Sequence, residues 1–160
     1  MSNNAWTCGG VTPLPGFLRP PVVFLFAILL GIALNHAWPL RFVPSTFRLL
    51  GPFVALCAVV LFVLSVREFR AAGTSVRGTE HTAAIVATGP YRFSRNPIYL
   101  SFILLVLGLA VWLDDLWLVF TLVPAIGVIA VMVIPREERF LEQNFQDQYS
   151  RYKATVHRWL

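Results

Sequence analysis

Four runs of apolar residues divide the chain: about Val22–Trp38, Leu49–Val66, Pro97–Leu113 and Leu116–Ile134. Each lies near the lower end of the roughly 17–25 residues that a helix needs to cross hydrocarbon. No Asp, Glu, Lys or Arg stands inside any of them, the avoidance expected of segments that sit in lipid. Asp114-Asp115 alone separates the third run from the fourth. Two adjacent acids do not belong in lipid, so they predict a tight helical hairpin emerging on one side. Pro124, inside the fourth run, predicts a kink.

Residues 1–20 are rich in Gly, Pro and small polar residues and read as a loose tail. With one Arg before the first run and no small-x-small site after it, the start is not expected to act as a signal peptide. The pattern therefore predicts an all-α integral membrane bundle over 21–160, with four transmembrane helices. Two polar excursions remain, a loop of about 67–96 and a tail of 135–160. Within the tail, Leu141, Phe145, Tyr149, Tyr152, Val156 and Trp159 recur at three- and four-residue intervals. That spacing predicts an amphipathic helix over about 136–156.

Composition agrees with this. Of the 160 residues, 57% are hydrophobic and 13% charged, against roughly 45–50% and about 25% in a soluble domain. That excludes a disordered chain and a water-soluble globule with a charged skin. Thirteen Lys and Arg against eight Asp and Glu leave a net charge of +5. Such an excess can mark a nucleic-acid binder, but here the bases flank the apolar runs. With the N-terminus inside, eleven of the thirteen bases share the inner face, and only Arg41 and Arg48 fall outside. The positive-inside rule therefore predicts N-in, C-in topology. Cys8 and Cys57 form no C-x-x-C or metal-ligand spacing, so neither a disulfide framework nor a metal site is expected.

Both polar excursions fall on the inner face, and chemistry is expected where they meet. The loop ends Thr88-Gly89-Pro90-Tyr91-Arg92-Phe93-Ser94-Arg95-Asn96-Pro97-Ile98-Tyr99. Asn96-Pro97 predicts a helix start, with Asn capping the free N–H groups and Pro at the first helical position. The positive end of the third helix then faces the loop. The tail opens Ile134-Pro135-Arg136-Glu137-Glu138-Arg139, placing acids where bases are the rule. An interfacial belt and good helix electrostatics would each explain one half of this pattern. Together, a carboxylate pair and an Arg-rich helix start make a bipolar pocket suited to a zwitterionic or cationic small molecule.

Gly89-Pro90-Tyr91-Arg92, Arg95-Asn96-Pro97 and Tyr99, then a hairpin, then Arg136-Glu137-Glu138 with Leu141, Tyr149 and Tyr152, resemble the isoprenylcysteine carboxyl methyltransferase family, grouped with the phospholipid methyltransferases. The likeness covers about residues 67–160, and the first two helices match only in being apolar. It implies S-adenosylmethionine as cofactor. Carried over by position, Ile85, Val86, Gly89 and Tyr91 would line it, and Asn96, Pro97, Ile98 and Tyr99 would meet it at the helix start. Glu137 would bind its ammonium with Glu138 alongside. Asn96 departs from the His of the eukaryotic form, and Ser101 and Gln146 stand where many members have Gly.

The implied reaction is methyl transfer to a lipophilic or amphipathic acceptor entering from the bilayer: a prenylcysteine-like carboxylate, or a headgroup amine or thiol. Arg95 or Arg136 would orient a carboxylate, while Glu138 or His81 would take a proton from an amine or thiol. The expected setting is a bacterial inner membrane with the site on the cytoplasmic face. Two other readings stand beside it. One is an NADPH-dependent membrane reductase of the steroid-reductase type. The other is a scaffold that binds anionic lipid.

Overall fold

The computed structural model describes residues 16–73 and 85–159. Among these there are helices, short 3-10 turns and irregular connections, and no strand. Residues 1–15 with Cys8, and the loop stretch 74–84 with Arg77 and His81, lie outside the described residues.

Helix α1 spans Pro20–Ala37, with prolines at its first two positions, where no N–H needs a partner. Helix α2 runs Leu50–Ala71, α3 Pro97–Leu113 and α4 Leu116–Val128. A π-type segment, Ile129–Val133, joins α4 without interruption to α5, Ile134–Thr155. Helix α1 packs on α4, α4 on α3, and α3 on α2. Phe24, Val106, Leu118, Leu122, Ile129 and Val133 form the buried core. Leu25, Phe26, Leu50, Phe53 and Leu56 stay exposed on the outer faces of α1 and α2, an arrangement that lipid, not water, solvates. Three stretches are long and apolar enough to cross a membrane: Pro20–Ala37, Ser45–Ala71 and the apolar part of Leu116–Thr155. Pro97–Leu113 is apolar but, at 17 residues, shorter.

The two acids between α3 and α4 close the hairpin and hold the connection between α1 and α2. Asp114 ends α3 in the left-handed conformation (φ 53°, ψ 50°). Its carboxylate accepts the N–H groups of Phe42 and Val43 at 2.8 and 2.7 Å and pairs with Arg48. Asp115 caps α4, accepting from the N–H groups of Trp117 and Leu118, which supplies two of the partners a helix start lacks.

Four expectations need correction. First, α2 does not stop at residue 66 but carries Arg67–Ala71 beyond the apolar run. Apolarity marks the bilayer edge, whereas the helix ends only where Gly73, at φ +63°, can turn the chain. Second, the fourth helix is not regular as far as Ile134: α4 runs on through Pro124, and an unpredicted departure from α geometry falls at Ile129–Val133. Pro135 stands two residues further on; it has no N–H for the carbonyl four residues back, and a wider turn relieves its ring. Third, the tail helix is not separate but continuous with α4, and it breaks at Gln146 (φ 30°, ψ −107°). Fourth, Asn96 makes no side-chain cap to α3; its amide is used elsewhere, as described below.

Gln146 occupies a backbone region that glycine tolerates and other residues do not. Gln146→Gly is therefore expected to raise stability by about 1 kcal/mol, the relieved strain exceeding glycine's entropy cost. Denaturant unfolding in detergent checks this, and a less stable variant contradicts the strain.

Candidate functional site

The loop before α3, the first turn of α3 and the start of α5 meet at one end of the bundle, as the sequence predicts. The hydroxyl of Tyr99, in the first turn of α3, donates to Oε1 of Glu137 in the first turn of α5 at 2.6 Å. No other hydrogen bond to the Glu137 carboxylate is seen among the described residues. Successive helical residues point about 100° apart, so Glu138 addresses different partners. Its carboxylate lies 3.0 Å from Arg95 Nη1 and accepts from Arg158 Nη2 at 2.7 Å. The two carboxylates that look like a pair in the sequence therefore serve separate contacts.

Tyr91 sits in a 3-10 turn, Gly89–Arg92, opened by Gly89 at φ +57°. Its ring meets Phe69 edge-on at 5.1 Å, and its carbonyl accepts from the Tyr152 hydroxyl at 2.8 Å. Burial, aided by neighbouring Tyr152, Glu137 and Glu68, pushes its phenol well above the ordinary range, so the group stays protonated. That hydroxyl is buried without a hydrogen-bond partner among the described residues, as are Nε and Nη1 of Arg95. Arg95 Nη1 is close to Glu138 but off the angle of a hydrogen bond. Unpaired donors of this kind are costly to bury and ask for a ligand or water.

The remaining predicted residues fall as follows. Val86 is buried and Ile85 half-buried in the irregular segment leading to Gly89. Pro97 is buried, and Ile98 packs against the core. Asn96 sends its amide N–H to the backbone carbonyl of Arg158 at 3.0 Å. Arg136 is half-buried and makes no ion pair among the described residues.

Sequence reasoning missed three contributors. Glu68 and Phe69 ride on the extension of α2. Glu68 accepts from the Thr88 hydroxyl; glycine is needed at 89 for its φ of +57°, and a Cβ there would also press on the Glu68 side chain at 2.8 Å. The third is the tail: Arg158 reaches Glu138, and Trp159 packs on the core. The aromatic spacing that ends at Trp159 was the available signal for it.

The fold and this cluster define a helical membrane protein whose polar site is assembled from loop, helix start and tail at one end of the bundle. The phospholipid methyltransferase family matches residues 46–148, from just before α2 into α5, and the chain belongs to that family. A Haemophilus influenzae protein described as uncharacterized is 41% identical over 63 residues, which are 39% of this chain and 100% of the relative. No solved structure matches.

Proposed function

We propose that this protein is an S-adenosylmethionine-dependent methyltransferase of the cytoplasmic face of a bacterial inner membrane, N-in and C-in. Its acceptor is lipophilic or amphipathic: a prenylcysteine-like carboxylate, or a headgroup amine or thiol. The observation that carries the reading is Glu137, held by Tyr99 and near enough to Tyr91 to act on its phenol; the Tyr91 hydroxyl, and Nε of Arg95 against the neighbouring Glu138, have no hydrogen-bond partner among the described residues. A half-buried carboxylate next to buried donors suits a ligand with one ammonium and one carboxylate.

In this reading Glu137 holds the ammonium, Arg95 offers Nε to the carboxylate, and Ile85, Val86, Gly89 and Tyr91 line the adenosyl group. Asn96, Pro97, Ile98 and Tyr99 border it at the start of α3. When bound, S-adenosylmethionine supplies a methyl group on a sulfonium. The protein's work is then alignment and exclusion of water. Arg95 and Glu138 are already committed to each other, whereas Arg136 has no described counter-ion. In this reading Arg136 is the cation that would orient an acceptor carboxylate, which needs no base. An amine or thiol acceptor must lose a proton, and Glu138 would accept it only by giving up an arginine.

An NADPH reductase would set its carboxylates against a 2′-phosphate, and a lipid scaffold would leave the buried donors without use. Thermal unfolding in detergent separates the three. A product such as S-adenosylhomocysteine at a hundred times its Kd stabilises a binding protein by about 2.7 kcal/mol. The expected result is stabilisation by S-adenosylhomocysteine and none by NADPH. The reverse, or no effect of either, rejects the proposal.

A further inference from the structure

Beyond the break at Gln146 the chain turns back to the site. The backbone N–H of Arg95 donates to the carbonyl of His157 at 3.0 Å, and Asn96 and Ser94 both donate to the carbonyl of Arg158. The Arg158 guanidinium closes on Glu138 with two bonds, at 2.7 and 3.3 Å. Between the break and this tip only Tyr149 is buried; Asp147, Gln148, Ser150, Arg151 and Thr155 are exposed. A cleft of about 430 Å³ lies at the tip, lined by Arg95, Lys153, Val156, His157, Arg158 and Trp159. The segment is thus strained at one end and held at the other by polar bonds and by Trp159 on the core, and between them most residues are exposed, with Tyr149 buried and Tyr152 bonded to the Tyr91 carbonyl. Such segments open before the rest of a fold does.

We infer that residues 147–159 form a lid over the site, hinged at Gln146 and latched by Arg158 on Glu138. Arg158 is a positioning residue that acts through Glu138, and its effect is to retain the bound cofactor. Retention rests on the function proposed above; the latch itself does not. The inference also gives the two neighbouring carboxylates different work. Glu137 is open to a ligand, and Glu138 anchors the tail. Lid opening exposes Arg95, whose Nε has no partner among the described residues in the closed form.

The test uses the full chain in detergent, with Arg158→Ala, Arg158→Lys, Glu138→Gln and the Arg158→Ala/Glu138→Gln double variant. Without ligand, hydrogen exchange of the Arg95 N–H is expected to quicken about tenfold in each charge-removing single variant, the loss of a charge-assisted bond. Amides in the middle of α3 serve as the control for intact folding. Arg158→Lys restores most of the protection, and the double variant exchanges no faster than Glu138→Gln alone, because Glu138→Gln already removes the contact that Arg158→Ala breaks. Dissociation of S-adenosylhomocysteine quickens by the same factor. Unchanged exchange at Arg95 in Arg158→Ala overturns the latch, and so does additivity in the double variant. Faster exchange with unchanged dissociation overturns the retention role. A wild-type protein that binds no S-adenosylhomocysteine overturns the proposed function, while the exchange data still decide the latch.

Discussion

Glu137→Ala is expected to weaken S-adenosylmethionine binding by at least about a hundredfold, the consequence of leaving a desolvated ammonium without its carboxylate. The substitution also strips the Tyr99 hydroxyl of its acceptor. Glu137→Gln separates the two losses, because the amide oxygen still accepts from Tyr99 while the charge is gone. If the charge governs binding, Gln and Ala variants lose similar affinity. If the role is only to hold Tyr99, Gln binds nearly as well as the wild type. Equilibrium binding of labelled cofactor to the detergent-solubilised protein reads both. Full affinity in Glu137→Ala removes the residue from the site.

The second large effect concerns the pair of helices that carries the site. A Cβ on Gly108 would lie 2.7 Å from the Ala55 nitrogen and 2.9 Å from the Gly51 oxygen. One on Gly51 would lie 2.4 Å from the Trp112 nitrogen. These neighbours are backbone atoms, which have no rotamer to escape into, so α2 and α3 approach at the limit that glycine permits. Gly108→Leu must push the helices apart, at an expected cost of about 3 kcal/mol or more. Gly127 is the control. Nothing lies within 4 Å of a Cβ there, and Gly127→Leu is expected to stay within about 0.5 kcal/mol of the wild type. Equal losses in the two variants would contradict the packing. The effect extends to the site, because α2 carries Glu68 and Phe69 to Thr88 and Tyr91. Gly108→Leu therefore also lowers cofactor affinity, which Gly127→Leu leaves alone.

What was legible in the sequence follows from the range of each signal. Helix α3 was read to the residue, Pro97–Leu113, because Pro at its start and an acid pair at its end punctuate a continuous apolar run. Tyr99 and Glu137 were singled out because each stands in a dense polar segment beside a membrane helix and matches the family pattern by position. Their hydrogen bond adds what neither segment announces alone. The misread features depend on partners far along the chain. Asn96 has the residue type and place of a cap, yet its amide serves a carbonyl 62 positions away. Gly51 and Gly108 look like any apolar-run glycines until their helices are set side by side. The break at Gln146 is hidden because glutamine gives no turn signal. The continuation of α2 past Val66 is hidden because hydropathy reports where lipid ends, not where hydrogen bonding ends.

The central claim is that this chain moves a methyl group, using Glu137 to hold its donor. It is tested most directly with membranes containing either wild-type protein or Glu137→Ala, supplied with methyl-labelled S-adenosylmethionine and a membrane lipid extract. Label in an extractable acceptor with the wild type, and none above background with the variant, is the result the account predicts. Equal labelling by the two, or no labelled acceptor from a wild type that binds the cofactor, would contradict it.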